Sequence, residues 1–146
     1  MKKLIVVFFL TLISAVLLAQ NGTYRCNSQR FEDENDPTKN RDHIESMIIT
    51  IDINDITGGY ILVSWPSENA TYKWDIIKKL DTSVNTEIKT VFTYYEARFN
   101  LANVQANYRV VAIIIQDMKD NSLNIAFHNP AGVTTNWYNN LIKITY

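Results

Sequence analysis

The sequence predicts an all-β fold: an antiparallel meander of about seven or eight strands closed as a small barrel, with a two-sheet β-sandwich as the alternative. Hydrophobic residues alternate by two along most of the chain, which is the period of a strand with one buried face. Short segments of Gly, Pro, Asn and Asp separate these stretches, and no long helical pattern lies between them. One stretch is apolar on both faces, and closure of the sheet would cover both.

The clearest hairpin lies in residues 47–65. Residues 47–54 alternate between an apolar and a more polar face, and a turn with two glycines follows at residues 54–59. Residues 60–65 resume the alternation as a second strand. Pro66 ends that strand because proline cannot donate a hydrogen bond to a ladder.

The middle of the chain continues the meander. Residues 72–77 predict a third strand, and residues 87–97 predict a long fourth strand because they are rich in Thr, Val, Phe and Tyr. The polar residues 81–85 predict a break between the two. Residues 98–106 fit a loop, a bulged continuation or one helical turn.

The last third of the chain holds the strand that is apolar on both faces, residues 108–116, which we expect to be a central strand. Residues 123–128 alternate again, a loop signal follows at residues 129–132, and residues 137–146 predict a final strand tied into the sheet. A barrel is favoured over a sandwich because consecutive hairpins close up-and-down without a long crossover.

The first 19 residues predict a secretory signal peptide. Met1, Lys2 and Lys3 form a short basic start, residues 4–18 are almost wholly apolar, and Ala19 offers a small residue at the cleavage point. A retained anchor is the alternative, but the apolar run is shorter than the roughly 20 residues needed to span a bilayer. We therefore expect one secreted or periplasmic domain at residues 20–146, with no membrane span after cleavage.

The charge balance narrows the possible partners. The 146 residues carry 14 Lys and Arg against 15 Asp and Glu, for a formal net charge of −1, and 47% are hydrophobic. A disordered chain would be less apolar, and a nucleic-acid-binding protein would normally be basic. We expect a globular protein that binds no nucleic acid.

Gly22, Thr23 and Tyr24 resemble the Gly-x-Trp opening of lipocalin-like chains, with Tyr in the place of Trp. This resemblance implies an eight-strand, lipocalin-like barrel shaped as a cup with a ligand cavity. The apolar residues that would line such a cavity are also those that a filled core needs, so a barrel packed with side chains is the alternative.

The sequence predicts no catalytic residues, no metal site and no cofactor. Cys26 is the sole cysteine, and it is either a buried apolar side chain or a thiol that joins two chains. No catalytic signature surrounds it, and His43 and His128 lack zinc-ligand spacing. The acidic residues 32–36 lack the order of a calcium loop and predict a solvated loop instead.

We therefore expect a secreted, non-catalytic binding domain that is a monomer or a weak dimer. Its ligand would be an apolar small molecule held in the barrel. The alternative is a surface recognition module or a structural envelope protein that contacts protein or glycan. Trp137, Tyr138, Asn139 and Asn140 form the densest group of aromatic and amide side chains, the residue types that suit a glycan-binding surface.

Overall fold

The computed structural model describes residues 21–101 and 104–145, and the side chains at 101 and 104–107 are not part of that description. The predicted signal peptide lies outside the described residues. The strands are β1 (Gly22–Cys26), β2 (Ser28–Asp33), β3 (Arg41–His43), β4 (Met47–Asn54), β5 (Gly58–Trp65), β6 (Ala70–Asn85), β7 (Thr90–Leu101), β8 (Val104–Asp117), β9 (Leu123–Asn129) and β10 (Thr134–Lys143). Two short 3-10 turns, Pro37–Lys39 and Pro66–Glu68, are the helical elements of the described residues.

Eight of the strands form a closed antiparallel barrel in the order β1, β4, β5, β6, β7, β8, β9, β10 and back to β1. The closing ladder pairs Tyr24 with Lys143 and Arg25 with Ile142. It continues beyond the last strand, where the Ile144 N–H donates to the Thr23 carbonyl at 2.8 Å. The predicted barrel is confirmed, and this closure excludes the two-sheet sandwich.

The two extra strands, β2 and β3, extend the barrel wall at one end. β2 continues the line of β1 after a break at Asn27 and pairs with the first half of β10, from Thr134 to Asn139. β3 pairs with β2, and no strand of the described chain pairs with its other edge. We call this end, which also carries the β5–β6 turn and the β9–β10 loop, the mouth.

The interior of the barrel holds a contiguous cluster of buried side chains that alternate along each strand. In β4, Met47, Ile49 and Ile51 are at most 1% exposed, as the alternation predicts. Ile114 of β8 and Ile125 of β9 are fully buried in the same cluster. Each of the eight barrel strands therefore contributes one apolar face to a common core, and its other face points outward.

Three parts of the strand assignment differ from the expectation. β1, β2 and β3 fall in the polar N-terminal region, where no strand was expected, and the acidic residues 32 and 33 belong to β2 rather than to a solvated loop. β6 runs through the predicted break at residues 81–85, and β7 reaches Leu101. The outward face of β8 is only half-buried, because the barrel covers one side of this strand and leaves the other to solvent.

The β4–β5 turn depends on Gly58. Its φ is +82°, in the region that L side chains rarely adopt, and a Cβ at this position would lie 2.5 Å from the Ile76 carbonyl oxygen. The turn therefore brings β5 close to β6 in a way that only glycine permits.

The end opposite the mouth is closed by a polar network around the same turn. The Tyr95 hydroxyl donates to Asp55 Oδ1 at 3.2 Å, and Lys79 Nζ lies 2.9 Å from Asp55 Oδ2. Tyr95 is 1% exposed, so its ring belongs to the core while its hydroxyl reaches the turn. This network joins β7, β6 and the β4–β5 turn.

Candidate ligand pocket

A pocket of about 260 Å³ opens at the mouth of the barrel. β2, β3, β5, β6, β7 and β10 supply its lining, together with the turn after β5. The lining residues are Gln29, Arg41, His43, Trp65, Glu68, Tyr72, Trp74, Phe99, Asn136 and Tyr138.

The pocket exists because the ladder between the N-terminal strands and β5 is incomplete. β4 pairs with β5 from Ile48 and Ser64 onward, whereas β3, which precedes β4, has no such partner. The chain between them, residues 44–46, leaves the strand conformation. The wall formed by β2 and β3 therefore stands apart from the wall formed by β5, β6 and β7.

Five of the lining residues are aromatic, and we call Trp65, Tyr72, Trp74, Phe99 and Tyr138 the aromatic wall; the first four lie on β5, β6 and β7, and Tyr138 lies on β10. Trp74 and Phe99 lie directly opposite each other on β6 and β7, with ring centroids 5.0 Å apart. Tyr72 stacks on Phe99 at 6.0 Å. Trp74 also stacks on Phe127 of the core at 4.1 Å. These mutual contacts hold the rings in place before any ligand arrives.

The other five lining residues are polar, and we call Gln29, Arg41, His43, Glu68 and Asn136 the polar wall; four of them lie on β2, β3 and β10, and Glu68 lies in the turn after β5. Gln29 Nε2 donates to Asn136 Oδ1 at 3.0 Å, and within the described residues the Gln29 side-chain carbonyl oxygen and the Asn136 side-chain amide nitrogen have no partner. Arg41 lies 5.3 Å above the Phe31 ring and makes no ion pair within the described residues. The polar wall therefore presents both hydrogen-bond donors and acceptors.

Trp65 joins the two walls. Its ring meets the His43 ring edge-on at 5.7 Å. Although Trp65 is only 7% exposed, its indole Nε1 has no acceptor in the described part of the chain. A buried donor without a partner costs roughly 1–3 kcal/mol.

Tyr138 supplies a neutral hydroxyl to the pocket. Burial raises the pKa of this phenol above its usual value, and the nearby Cys26 and Tyr72 raise it further. At neutral pH the side chain therefore remains protonated and can both donate and accept a hydrogen bond.

The four predicted recognition residues on β10 do not share one surface, because successive side chains of a strand point to opposite faces. Tyr138 points inward to the pocket. Trp137 points outward, and its Nε1 donates to Glu32 Oε2 at 2.9 Å. Asn139 shares the outward face, and Asn140 lies at a bulge with φ of +54°, where its N–H donates to Asn124 Oδ1.

Cys26 lies in the barrel wall and is not one of the residues that line the pocket. Its side chain is fully buried, and its Sγ lies 3.3 Å from the Ser28 carbonyl oxygen and 3.3 Å from the Asn139 carbonyl oxygen, so its single hydrogen can bond to either. Burial raises the pKa of the thiol. The thiol is therefore protonated and shielded in this structure, and its pairing between chains stays a prediction.

The two histidines are separated. His43 lines the pocket, whereas His128 points outward and its Nδ1 lies 3.0 Å from Thr135 Oγ1. Nowhere in the described residues do three or more His, Cys, Asp or Glu side chains come together as a metal site.

Most of the pocket residues were not predicted from the sequence. Tyr72, Trp74 and Trp65 were predicted as strand residues only and not as site residues. The available signal was their spacing: Tyr72 and Trp74 share a face, and Trp65 ends the strand that pairs with theirs. Three large aromatics at one end of a hairpin indicate an aromatic surface there.

Comparisons of this chain with known protein families, with curated proteins and with solved structures find no match. The lipocalin resemblance of residues 22–24 therefore stays a prediction. Across residues 21–101 and 104–145, no helix has the length and apolar character needed to cross a membrane.

Proposed function

We propose that this chain is a non-catalytic binding protein whose ligand is a single sugar ring held in the mouth pocket. The observation that carries the proposal is the pairing of an aromatic wall with a polar wall that offers both donors and acceptors. A pyranose ring has matching chemistry, because its C–H face is apolar and its hydroxyl groups both donate and accept hydrogen bonds.

The size of the pocket supports a single ring. Pockets for drug-sized ligands measure roughly 300–1,000 Å³, so 260 Å³ fits a smaller molecule. The ring would be a free monosaccharide or the terminal residue of a longer glycan that extends into solvent.

The polar wall argues against the apolar ligand that the sequence suggested. An apolar molecule would bury Arg41 and Glu68 against surfaces that cannot bind them. One sugar hydroxyl can accept from Arg41, while another donates to Glu68. The sequence-based expectation of a binding protein is kept, with a polar ring in place of an apolar ligand.

The predicted signal peptide supports a secreted or periplasmic location for this activity. Glycans are abundant outside the cytoplasm, and a mouth that opens directly to solvent can admit the terminal sugar of a glycan. The proposal requires no cofactor, because contact and hydrogen bonding by the lining side chains are sufficient for binding.

Titration of the mature protein with a monosaccharide panel, followed by tryptophan fluorescence and calorimetry, tests the proposal. The panel contains glucose, galactose, mannose, N-acetylglucosamine and glucuronate, and a glycan array tests terminal residues. We expect saturable binding of at least one ring that Trp65→Phe weakens about fivefold, since this change removes part of the aromatic surface that packs against the sugar, worth about 1 kcal/mol.

Trp137→Phe is the matched control, because Trp137 carries a comparable indole on the outer surface, where its N–H binds Glu32. We expect this variant to bind the sugar as the wild type does. Binding of the apolar probe anilinonaphthalene sulfonate in the absence of any sugar binding would support the apolar-ligand hypothesis instead. Equal losses of sugar binding in Trp65→Phe and Trp137→Phe would show that the sugar does not bind in the mouth pocket.

A further inference from the structure

We infer that this chain forms a two-fold dimer through the free edge of β6, at the end of the barrel opposite the mouth. The partner is a second copy of the same chain, and the contact is an antiparallel strand pair. This inference is independent of the sugar pocket.

The free edge arises because β6 is longer than its neighbour β5. β6 pairs with β5 only as far as Gly59 and Ile76, but it pairs with β7 as far as Asn85 and Thr90. From residue 77 to residue 85, therefore, one edge of β6 has no strand beside it in the described chain. Such an edge presents unpaired backbone donors and acceptors to another strand.

Exposed apolar side chains lie along this part of β6 and around the turns at the same end of the barrel. Most of the exposed large hydrophobic residues of the described chain lie on the β6–β7 hairpin or beside its turn, at 42–53% exposure: Ile77, Leu80, Val84, Ile88 and Met118. Met118 belongs to the group because its N–H donates to the Lys89 carbonyl at 2.8 Å. Burial of these side chains would add to the energy of strand pairing.

The features that keep an edge strand from pairing with another strand, bulges and lysines, are present only in the part of this edge that precedes residue 81. Bulges at residues 77 and 80 disturb the ladder, and Lys78 and Lys79 lie between them. Residues 81–85 then pair with β7 in regular register and carry no lysine. One local bond remains, from the Thr82 N–H to Asp81 Oδ1 at 2.8 Å, and an incoming strand would compete with it.

The sequence of this edge is complementary to itself. An antiparallel pair centred on Thr82 places Thr82 opposite the same residue of the second copy. It also places Leu80 opposite Val84 and Asp81 opposite Ser83, each twice by symmetry. β-branched and apolar residues pair favourably across strands, and this register sets no like charges opposite one another. A two-fold axis at Thr82 would therefore continue the sheet from one barrel into the next.

Sedimentation velocity from micromolar to millimolar concentration, in the presence of a reducing agent, tests the inference. We expect a concentration-dependent dimer of the wild type. Thr82→Lys and Thr82→Glu should each weaken it about fivefold, because each places two like charges at the axis. An equimolar mixture of the two variants should form a mixed dimer, detected by native mass spectrometry.

Ile44→Lys is the matched control, since Ile44 is 89% exposed and lies toward the mouth, away from this edge. We expect it to dimerise as the wild type does. Restored dimerisation in the mixture also shows that the single variants are folded. A wild type that stays monomeric throughout the range, a dimer that disappears on reduction, or unchanged dimers of both Thr82 variants would each overturn the inference.

Discussion

Replacement of Tyr95 by phenylalanine should measure how strongly the polar network closes the barrel. The substitution keeps the aromatic ring in the core and removes only the hydroxyl that donates to Asp55 Oδ1 at 3.2 Å. Asp55 keeps its ion pair with Lys79 at 2.9 Å. The change therefore isolates one hydrogen bond between β7 and the β4–β5 turn.

The structure sets the size of the effect. A hydrogen bond to a charged group contributes roughly 1.5–3 kcal/mol to stability. The Asp55 side chain is 29% exposed, so water can replace part of the lost interaction, and the lower end of that range applies. We expect Tyr95→Phe to lower the free energy of unfolding by about 1.5 kcal/mol, which corresponds to a fall of about 6 °C in Tm for a domain of this size.

Urea unfolding followed by circular dichroism gives this difference, and a double-mutant cycle with Asp55→Ala, which removes the acceptor, assigns it to the pair. We expect the two changes together to destabilise the protein by less than the sum of the single effects. Tyr60→Phe, at a half-buried tyrosine of β5, is the control and should change stability by less than about 0.5 kcal/mol. Strictly additive effects of Tyr95→Phe and Asp55→Ala would refute the hydrogen bond between Tyr95 and Asp55.

Three further predictions concern other parts of the fold. Burial raises the pKa of Tyr95, and the Asp55 charge and hydrogen bond add to this; burial likewise raises the pKa values of Tyr24 and Tyr138. A tyrosine in the unfolded chain titrates at about pH 10, so the stability that these buried, neutral tyrosines contribute is complete below that pH and is lost as the pH rises above it. Tyr95→Phe should therefore lose less stability than the wild type when the pH is raised. Gly58→Ala should destabilise the protein by more than about 2 kcal/mol in the same urea assay, whereas an unchanged midpoint would show that the turn can relax. Cys26 should react with Ellman's reagent only after unfolding, and rapid reaction of the native protein would contradict its burial.

The strands that could be predicted from the sequence are those with one apolar face and one polar face. β4 and β5 were expected at residues 47–54 and 60–65, and they lie at Met47–Asn54 and Gly58–Trp65, because alternation and the two glycines define both strands and their turn. β2 gave no such signal, since all six of its residues are half-buried. The end of β6 is exposed throughout and reads as a loop, although pairing with β7 extends it.

The pocket was harder to predict than the barrel. Its position depends on where the pairing between the N-terminal strands and β5 stops, and this is a property of the assembled sheet rather than of any local segment. The aromatic residues were visible, but cross-strand pairing alone accounted for them. The sequence pattern grouped Tyr138 with Trp137 and Asn139, whose side chains point to the other face of β10.

The ladder between β1 and β10 has a consequence for the order of folding. It joins residues near the two ends of the described chain, Tyr24 and Lys143, so it closes the longest loop in the sheet and has the greatest entropic cost. The hairpins between consecutive strands can form locally, whereas this contact must wait for the whole meander, which gives the fold a high contact order. Until it forms, β10 and the β1–β2 line expose two long edges, and the protein is most prone to aggregate during that interval.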